Sequence, residues 1–214
     1  MFLTDNFEKR EWSAFVLKFK LKKDFYLQPA KILAPQLLGK ILVVREKRSI
    51  LAGKIVETEA YLGKEDPASH SYKGRVTPRN KIMYEEGGLI YVYLIYGKYF
   101  CFNVVANKKN IPEAVFIRAI QPLKGIEIMR ENNKEAKKLV HLTNGPCRWT
   151  KSFKIDKSFL GEKIYGDRIF IIDSPLTKKE KIVSAKRIGI DYAGKAKDWL
   201  LRFYIQDNQF VSKR

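Results

Sequence analysis

The chain has 214 residues, 45% hydrophobic and 30% charged, a composition that fits one folded domain with a true core and excludes disorder. Two cysteines and two histidines are too few for a disulfide scaffold or a structural metal cluster, and no run approaches the roughly 20 apolar residues of a membrane span. Forty-two Lys+Arg against 23 Asp+Glu leave a formal charge of +19. Such an excess favours a polyanionic partner, although lysines spread over every solvated face would give the same total.

Residues 1–24 mix aromatics with lysines without a sustained period and read as an N-terminal extension; residues 25–214 read as the domain. Asp5, Glu8, Lys9 and Arg10 stand where a secretory signal would be apolar, so a cytoplasmic setting is expected, or a nuclear one in a eukaryote. Between Gln28 and Leu38 the spacing of Ile32, Leu33, Leu37 and Leu38 predicts a short helix. Pro29 suits its first turn, Gly39 its end, and Pro35 would bend or interrupt it. Strands are predicted over Lys40–Val44, Leu51–Tyr61, Leu89–Tyr96, Tyr99–Val105 and Ala114–Ile120, all rich in Val, Ile, Tyr and Phe. A short Gly97-Lys98 link makes the third and fourth of these an antiparallel hairpin. Helical patterns follow at Glu127–Leu139 and Cys147–Phe153, the second opened by Asn144-Gly145-Pro146, and a late strand is expected at Trp199–Ile205. The order predicts an α+β fold: a single domain with a curved antiparallel sheet, flanking helices and a protruding β-hairpin.

Chemistry concentrates in a few places. In Ile55–Tyr61, alternation puts Glu57, Glu59 and Tyr61 on one face of a strand that otherwise reads as core. An inward carboxylate needs partners or a task; an edge strand with a solvated acidic face is the competing reading. Arg118, within the apolar run Ala114–Ile120, is placed to pair with Glu59 or Glu57, and Asn103 is another polar group beside a strand core. His70 sits in a loop, where a histidine is most often a surface or packing residue. The loop Lys73–Lys81, basic and turn-rich, suits phosphates as well as plain solvent. At the hairpin, Tyr91 and Tyr93 share a strand face and Tyr96 lies at the turn beside Lys98. A tyrosine there can be a wedge or stacking platform for nucleic acid, or part of an ordinary tyrosine-rich sheet face. Phosphate-binding glycine loops, His-Glu-x-x-His and a nucleophile elbow are absent.

These residues closely resemble the alkyladenine (3-methyladenine) DNA glycosylase family of mammals and many bacteria. The matching stretches are IVETEAYLG from Ile55 to Gly63, Asp66 with Ala68 and His70, RxTPRN from Arg75 to Asn80, and YVYLIYGxYFCxN from Tyr91 to Asn103. Arg118, Met129-Arg130, Gly145-Pro146, Arg187–Gly189, Ala193-Gly194 and Leu201–Tyr204 follow in order. The resemblance implies that Glu59 is the general base that activates water and that Arg118 helps to hold that water. It implies a base pocket of Tyr61, Ala68 (through its carbonyl), His70, Tyr93 and Asn103, the last disfavouring the guanine amino group, and it makes Tyr96 the side chain inserted into the duplex. Arg75, Thr77, Met83 and Tyr99 fall on the DNA surface, joined by Lys98 and by Arg148 where the family has a lysine. The implied activity is monofunctional hydrolysis of the N-glycosidic bond of alkylated or deaminated purines, such as 3-methyladenine and hypoxanthine, in double-stranded DNA, by a monomer with no metal or organic cofactor. Two other readings stay open at this stage: a catalytically silent nucleic-acid-binding module, and a basic structural protein whose charge is only composition.

Overall fold

The computed structural model describes residues 18–46 and 49–213; the expectation for residues 1–17 of the extension lies outside the described residues. Helix α1 spans Ala30–Gln36, followed by strands β1 (Ile41–Glu46), β2 (Ser49–Tyr61), β3 (Ile90–Ile95), β4 (Tyr99–Ala106) and β5 (Glu113–Lys124). Helices α2 (Ile126–Asn132) and α3 (Pro146–Ser152) then lead to β6 (Ile169–Ile172), β7 (Ile182–Ala185) and β8 (Arg202–Ile205). The fold is a single α+β domain around a curled antiparallel sheet ordered β3-β4-β5-β2-β1-β6, with β8 pairing β2 and β7.

Strand β2 is the axis of this sheet. One of its edges runs along β5; the other pairs β1 through Ser49–Lys54 and β8 through Glu57–Glu59. A strand covered on both edges has its backbone groups satisfied by neighbours, so the sheet can bend across it. Register shifts between β2 and β5 at Ala52/Gly53, Ile55/Glu57 and Glu57/Thr58 are β-bulges, which add twist and re-aim side chains. Gly53 answers the first of these, opposite Pro122, since a Cβ there would run into Ile120 Cγ2 and stand 2.8 Å from the Gln121 carbonyl oxygen.

The helices pack by apolar faces and side-chain hydrogen bonds. In α1, Ala30, Leu33 and Ala34 are buried; Glu113 accepts the Ala30 N–H at 2.6 Å, and Thr58 Oγ1 of β2 donates to the Ala34 carbonyl at 2.9 Å. Pro35 stands next to the last residue of α1, so the helix stops where the ring would have interrupted it. Pro146 opens α3 at its first turn. Trp149 of that helix is fully buried against Phe102 and Phe153 and donates its indole N–H to the Ile117 carbonyl at 2.9 Å.

Several boundaries differ from expectation for local reasons. The Glu127–Leu139 pattern gives a helix only to Asn132, and Leu139–Leu142 forms a separate 3-10 turn. The short strands β6 and β7 carry no turn signals strong enough to mark them. The hairpin link is the three residues between the paired Ile95 and Tyr99, not two, and Tyr96 itself has a positive φ of 51°. Residues 19–21 of the extension lie along β6: Leu21 N–H donates to the Ile171 carbonyl, and Asp173 N–H to that of Phe19. That contact covers a sheet edge that would otherwise present free backbone groups. Among the described residues no helix is long and apolar enough to cross a membrane.

Gly53→Ala is expected to destabilise the protein by about 1–3 kcal/mol through overpacking between β2 and β5. A lowered urea midpoint with an unchanged m-value checks this.

Candidate active site

Glu57 and Glu59 have no solvent exposure, so the solvated acidic face is ruled out. Their counter-charge comes from the bulge. Ile117 pairs with Thr58 and Ala119 with Glu57, which leaves Arg118 as the extra residue, its side chain delivered between the two carboxylates. Arg118 Nε donates to Glu57 Oε1 at 3.1 Å and Nη1 stands 3.3 Å from Glu59 Oε1. The sequence offered the two pairings as alternatives; the structure makes both.

The two glutamates nevertheless differ. Glu57 is saturated by donors that keep it structural: Arg118, Arg202 Nη1 at 3.0 Å, Ser212 Oγ at 3.0 Å and the Ser212 N–H at 2.7 Å. Glu59 takes the Ile188 N–H on Oε1 at 2.8 Å and the Tyr61 hydroxyl on Oε2 at 3.0 Å. A carboxylate oxygen has two lone-pair sites, so Oε2 keeps capacity for a further donor. Burial raises the Glu59 carboxyl above the ordinary glutamate range, while Arg118, the Ile188 N–H and the Tyr61 hydroxyl pull it back down. A carboxylate made more basic than usual is suited to take a proton.

Above it lies a cavity of about 370 Å³, within the size range of small-ligand pockets. Arg118, Tyr61 and Ile188, all in contact with Glu59, line it together with Ala68, His70, Tyr93, Asn103 and Tyr96. His70 Nδ1 is 2.8 Å from the Tyr91 hydroxyl, and its ring meets that of Tyr93 edge to face at 4.8 Å. Desolvation and the nearby Arg79 lower the His70 pKa to about 4, which keeps the imidazole neutral at physiological pH. Asn103 donates its amide to the Tyr91 carbonyl at 3.1 Å, which fixes its orientation in the wall. The Ala68 carbonyl has Tyr192 Oη at 3.5 Å, the outer limit of a hydrogen bond.

The wall is braced by a second buried ion pair that the sequence reading passed over. Arg187 meets Asp66 through both terminal nitrogens, Nη2 to Oδ1 at 2.8 Å, and donates to the Ala60 carbonyl at 3.0 Å. Asp66 in turn accepts the N–H groups of Leu62 and Ala68, and the guanidinium lies 4.7 Å from the Tyr61 ring centroid. One pair thus fixes both the Tyr61 ring and the Ala68 turn. Asn80 does the same for the loop from Lys73, accepting from the Thr77 N–H and hydroxyl and donating to the His70 and Arg75 carbonyls. Glu57 and Tyr91 were legible from the strand pattern, and Asp66 and Arg187 only as members of the matching stretches, but only pairing reveals their work. Asn80 and Ile188 lay in the matching stretches without a role assigned, and Ser212 carried no signal.

The residues expected on the DNA surface divide. Arg75, Lys98 and Arg148 are exposed outside the cavity, Thr77 and Tyr99 are half-buried there, and Tyr96 is 82% exposed at the hairpin tip. Met83 is the correction. It is buried with Tyr91, Val105 and Ala114 and lines the cavity with Tyr91 and Ala114, because an apolar thioether gains more from that packing than from a phosphate. Tyr96 and Gly97 have φ of 51° and 70°, and Lys98 N–H donates to the Ile95 carbonyl at 3.3 Å. A tight hairpin turn with two positive-φ centres favours Asn-Gly; a tyrosine in the first of them is strained.

Comparison with known proteins gives the family. The family model described as methylpurine-DNA glycosylase (MPG) matches residues 24–209. A protein of Clostridium novyi named "Putative 3-methyladenine DNA glycosylase" is 47% identical over 203 residues, covering 91% of this chain and 99% of its own length. One of the same name from Desulfitobacterium hafniense is 43% identical over 202 residues, covering 90% and 98%. The chain belongs to the methylpurine-DNA glycosylase family and is a DNA glycosylase.

Asp66→Ala is expected to cost about 3–5 kcal/mol by leaving the Arg187 charge buried and unpaired, whereas Arg75→Ala on the exposed rim should stay within about 0.5 kcal/mol. Chemical denaturation of the two variants separates these outcomes.

Proposed function

We propose that this protein extrudes alkylated or deaminated purines, 3-methyladenine and hypoxanthine among them, from duplex DNA and hydrolyses their N-glycosidic bond, leaving an abasic site in an intact strand. The observation that carries the reading is the position of Glu59, wholly buried yet in contact with three residues that line an aromatic cavity.

A base stacked in a duplex cannot reach such a carboxylate, so the nucleotide must rotate out at a cost of a few kcal/mol and the gap must be filled. Tyr96, exposed on a strained tip, is the filling side chain; strain of this kind is retained where function needs the side chain. The rim cations Arg75, Lys98 and Arg148 draw in the phosphates, with Thr77 and Tyr99 beside them. The extruded purine lies against Tyr61, His70 and Tyr93, and the Ala68 carbonyl accepts from its edge in place of Tyr192. Asn103 crowds the position a guanine amino group would take. As the glycosidic bond breaks, its electron pair leaves with the base and the sugar becomes cationic. Glu59 stabilises that charge and takes a proton from the water whose oxygen bonds to C1′, while Arg118 orients the water. An alkylated purine that is already cationic leaves readily, whereas neutral hypoxanthine needs a proton or hydrogen bonds on the departing ring. One copy of the chain supplies every group named, so the monomer is the proposed working unit.

Glu59→Gln is expected to lower single-turnover release of 3-methyladenine or hypoxanthine from a duplex oligonucleotide by about 10²–10⁴-fold. Folding should be kept, since Glu57 still pairs Arg118. Full activity in that variant would sink the assignment. Because the base works only as an anion and burial raises its pKa, the rate should fall with acidification at a pH above the ordinary glutamate value. A His70→Gln variant should keep that limb where it is, the imidazole being neutral there. Replacing Tyr96 by Asn should leave the hairpin as stable or stabilise it by about 1 kcal/mol while reducing excision, so stability and activity measured on the same preparation should move apart.

A further inference from the structure

The two cysteines of the chain, 46 positions apart in sequence (147 − 101), meet on the wall of the base cavity. Cys101 lies on β4 directly across from Tyr93, and Cys147 lies in the first turn of α3, which Thr150 pins to β4 by donating to the Phe100 carbonyl at 2.9 Å. Both side chains line the cavity. Cys147 also lines a second groove beside Tyr99 and Arg148, so in the DNA-free protein it borders two openings. We propose that Cys147 and Cys101 form a peroxide-reactive dithiol whose oxidation to a disulfide shuts down base excision.

The chemistry suits the pair. Interactions with Cys101 and the nearby Arg118 lower the Cys147 pKa to about 7, against the opposing effect of burial. The same contact and burial raise that of Cys101, which stays protonated as the donor. An accessible thiolate next to a resolving thiol is the arrangement that peroxide oxidises selectively. The Cys147 thiolate attacks one oxygen of hydrogen peroxide, the O–O bond breaks, and hydroxide leaves and is protonated to water, giving a sulfenic acid. Cys101 sulfur then attacks Cys147 sulfur, its proton goes to the departing hydroxyl, and a second water is released. Two sulfurs are each oxidised by one electron and two peroxide oxygens are each reduced by one. The new bond draws Cys101 toward α3 and away from the Tyr93 hydroxyl with which it interacts, displacing a wall against which the extruded base is proposed to lie. The loss of excision therefore rests on the function proposed above; the thiol chemistry does not.

The test treats reduced protein with stoichiometric hydrogen peroxide, counts free thiols, maps the Cys101–Cys147 cross-link by peptide mass spectrometry without reductant, and measures excision before and after. Expected are loss of both thiols, that cross-link, and a fall in excision of about tenfold to a hundredfold, restored by dithiothreitol. In Cys147→Ser the ratio of rates before and after peroxide should stay near one whatever the basal rate, with the Cys101 thiol still free. Two thiols remaining, a sulfinic acid without cross-link, or a cross-linked protein with undiminished excision would each overturn the proposal. An inactive reduced wild type would instead overturn the proposed function, and the thiol count would still be read.

Discussion

The structure depends on one constraint: a carboxylate cannot be left in the middle of a sheet without opposite charge and hydrogen bonds to hold it. Strand β2 carries two, Glu57 and Glu59, both at zero exposure. A single bulge in β5 answers both by projecting Arg118 between them. Most of what surrounds this point can be understood as support for it. Arg202 of β8 and the Ser212 backbone complete the shell of Glu57, and with that shell filled Arg118 is held by one carboxylate while it faces the other. Beside Arg118, Glu59 is thereby left with lighter partners, a hydroxyl and one peptide N–H, and with room on Oε2 for a further donor.

Around this centre the molecule separates rigid parts from presented ones. The cavity wall is tied down by the Asp66–Arg187 pair and by Asn80, whose bonds run to backbone groups of the turns bearing Ala68 and His70. Placement of that kind keeps functional groups within the small tolerances that catalysis asks of them. The hairpin tip has the opposite character. Gly97 has nothing within 4 Å of a would-be side chain, and Tyr96 stands in water on a backbone conformation that suits it poorly.

How far the sequence reached follows from the kind of signal each feature leaves. Long strands such as β2 and β5 write their β-branched runs over many residues, so their existence was plain and only their ends shifted. Strands β6 and β7, four residues each, are too short to state a period, and they are strands because β1 and β8 pair with them. Glu59, Arg118 and Tyr96 were legible because each is the wrong residue for its local pattern: a charge in a core strand, or an aromatic at a turn that prefers Asn. Met83 was misplaced because its place near a basic loop says nothing of which way its side chain faces. Ser212 acts through its backbone N–H and its hydroxyl, but a serine is so often a solvated residue that its type alone could not single it out.

The partners of Glu57 have a consequence for how the chain comes to fold. Arg202 and Ser212 lie 145 and 155 residues downstream of it, and Arg187 lies 121 residues downstream of Asp66. During synthesis the first half emerges with its buried acids short of their counter-ions, and closing contacts of such long range is slow. The central sheet therefore has reason to stay loose until the last strand arrives, so this is a protein whose buried charge cluster and whose final cooperative folding step are completed together.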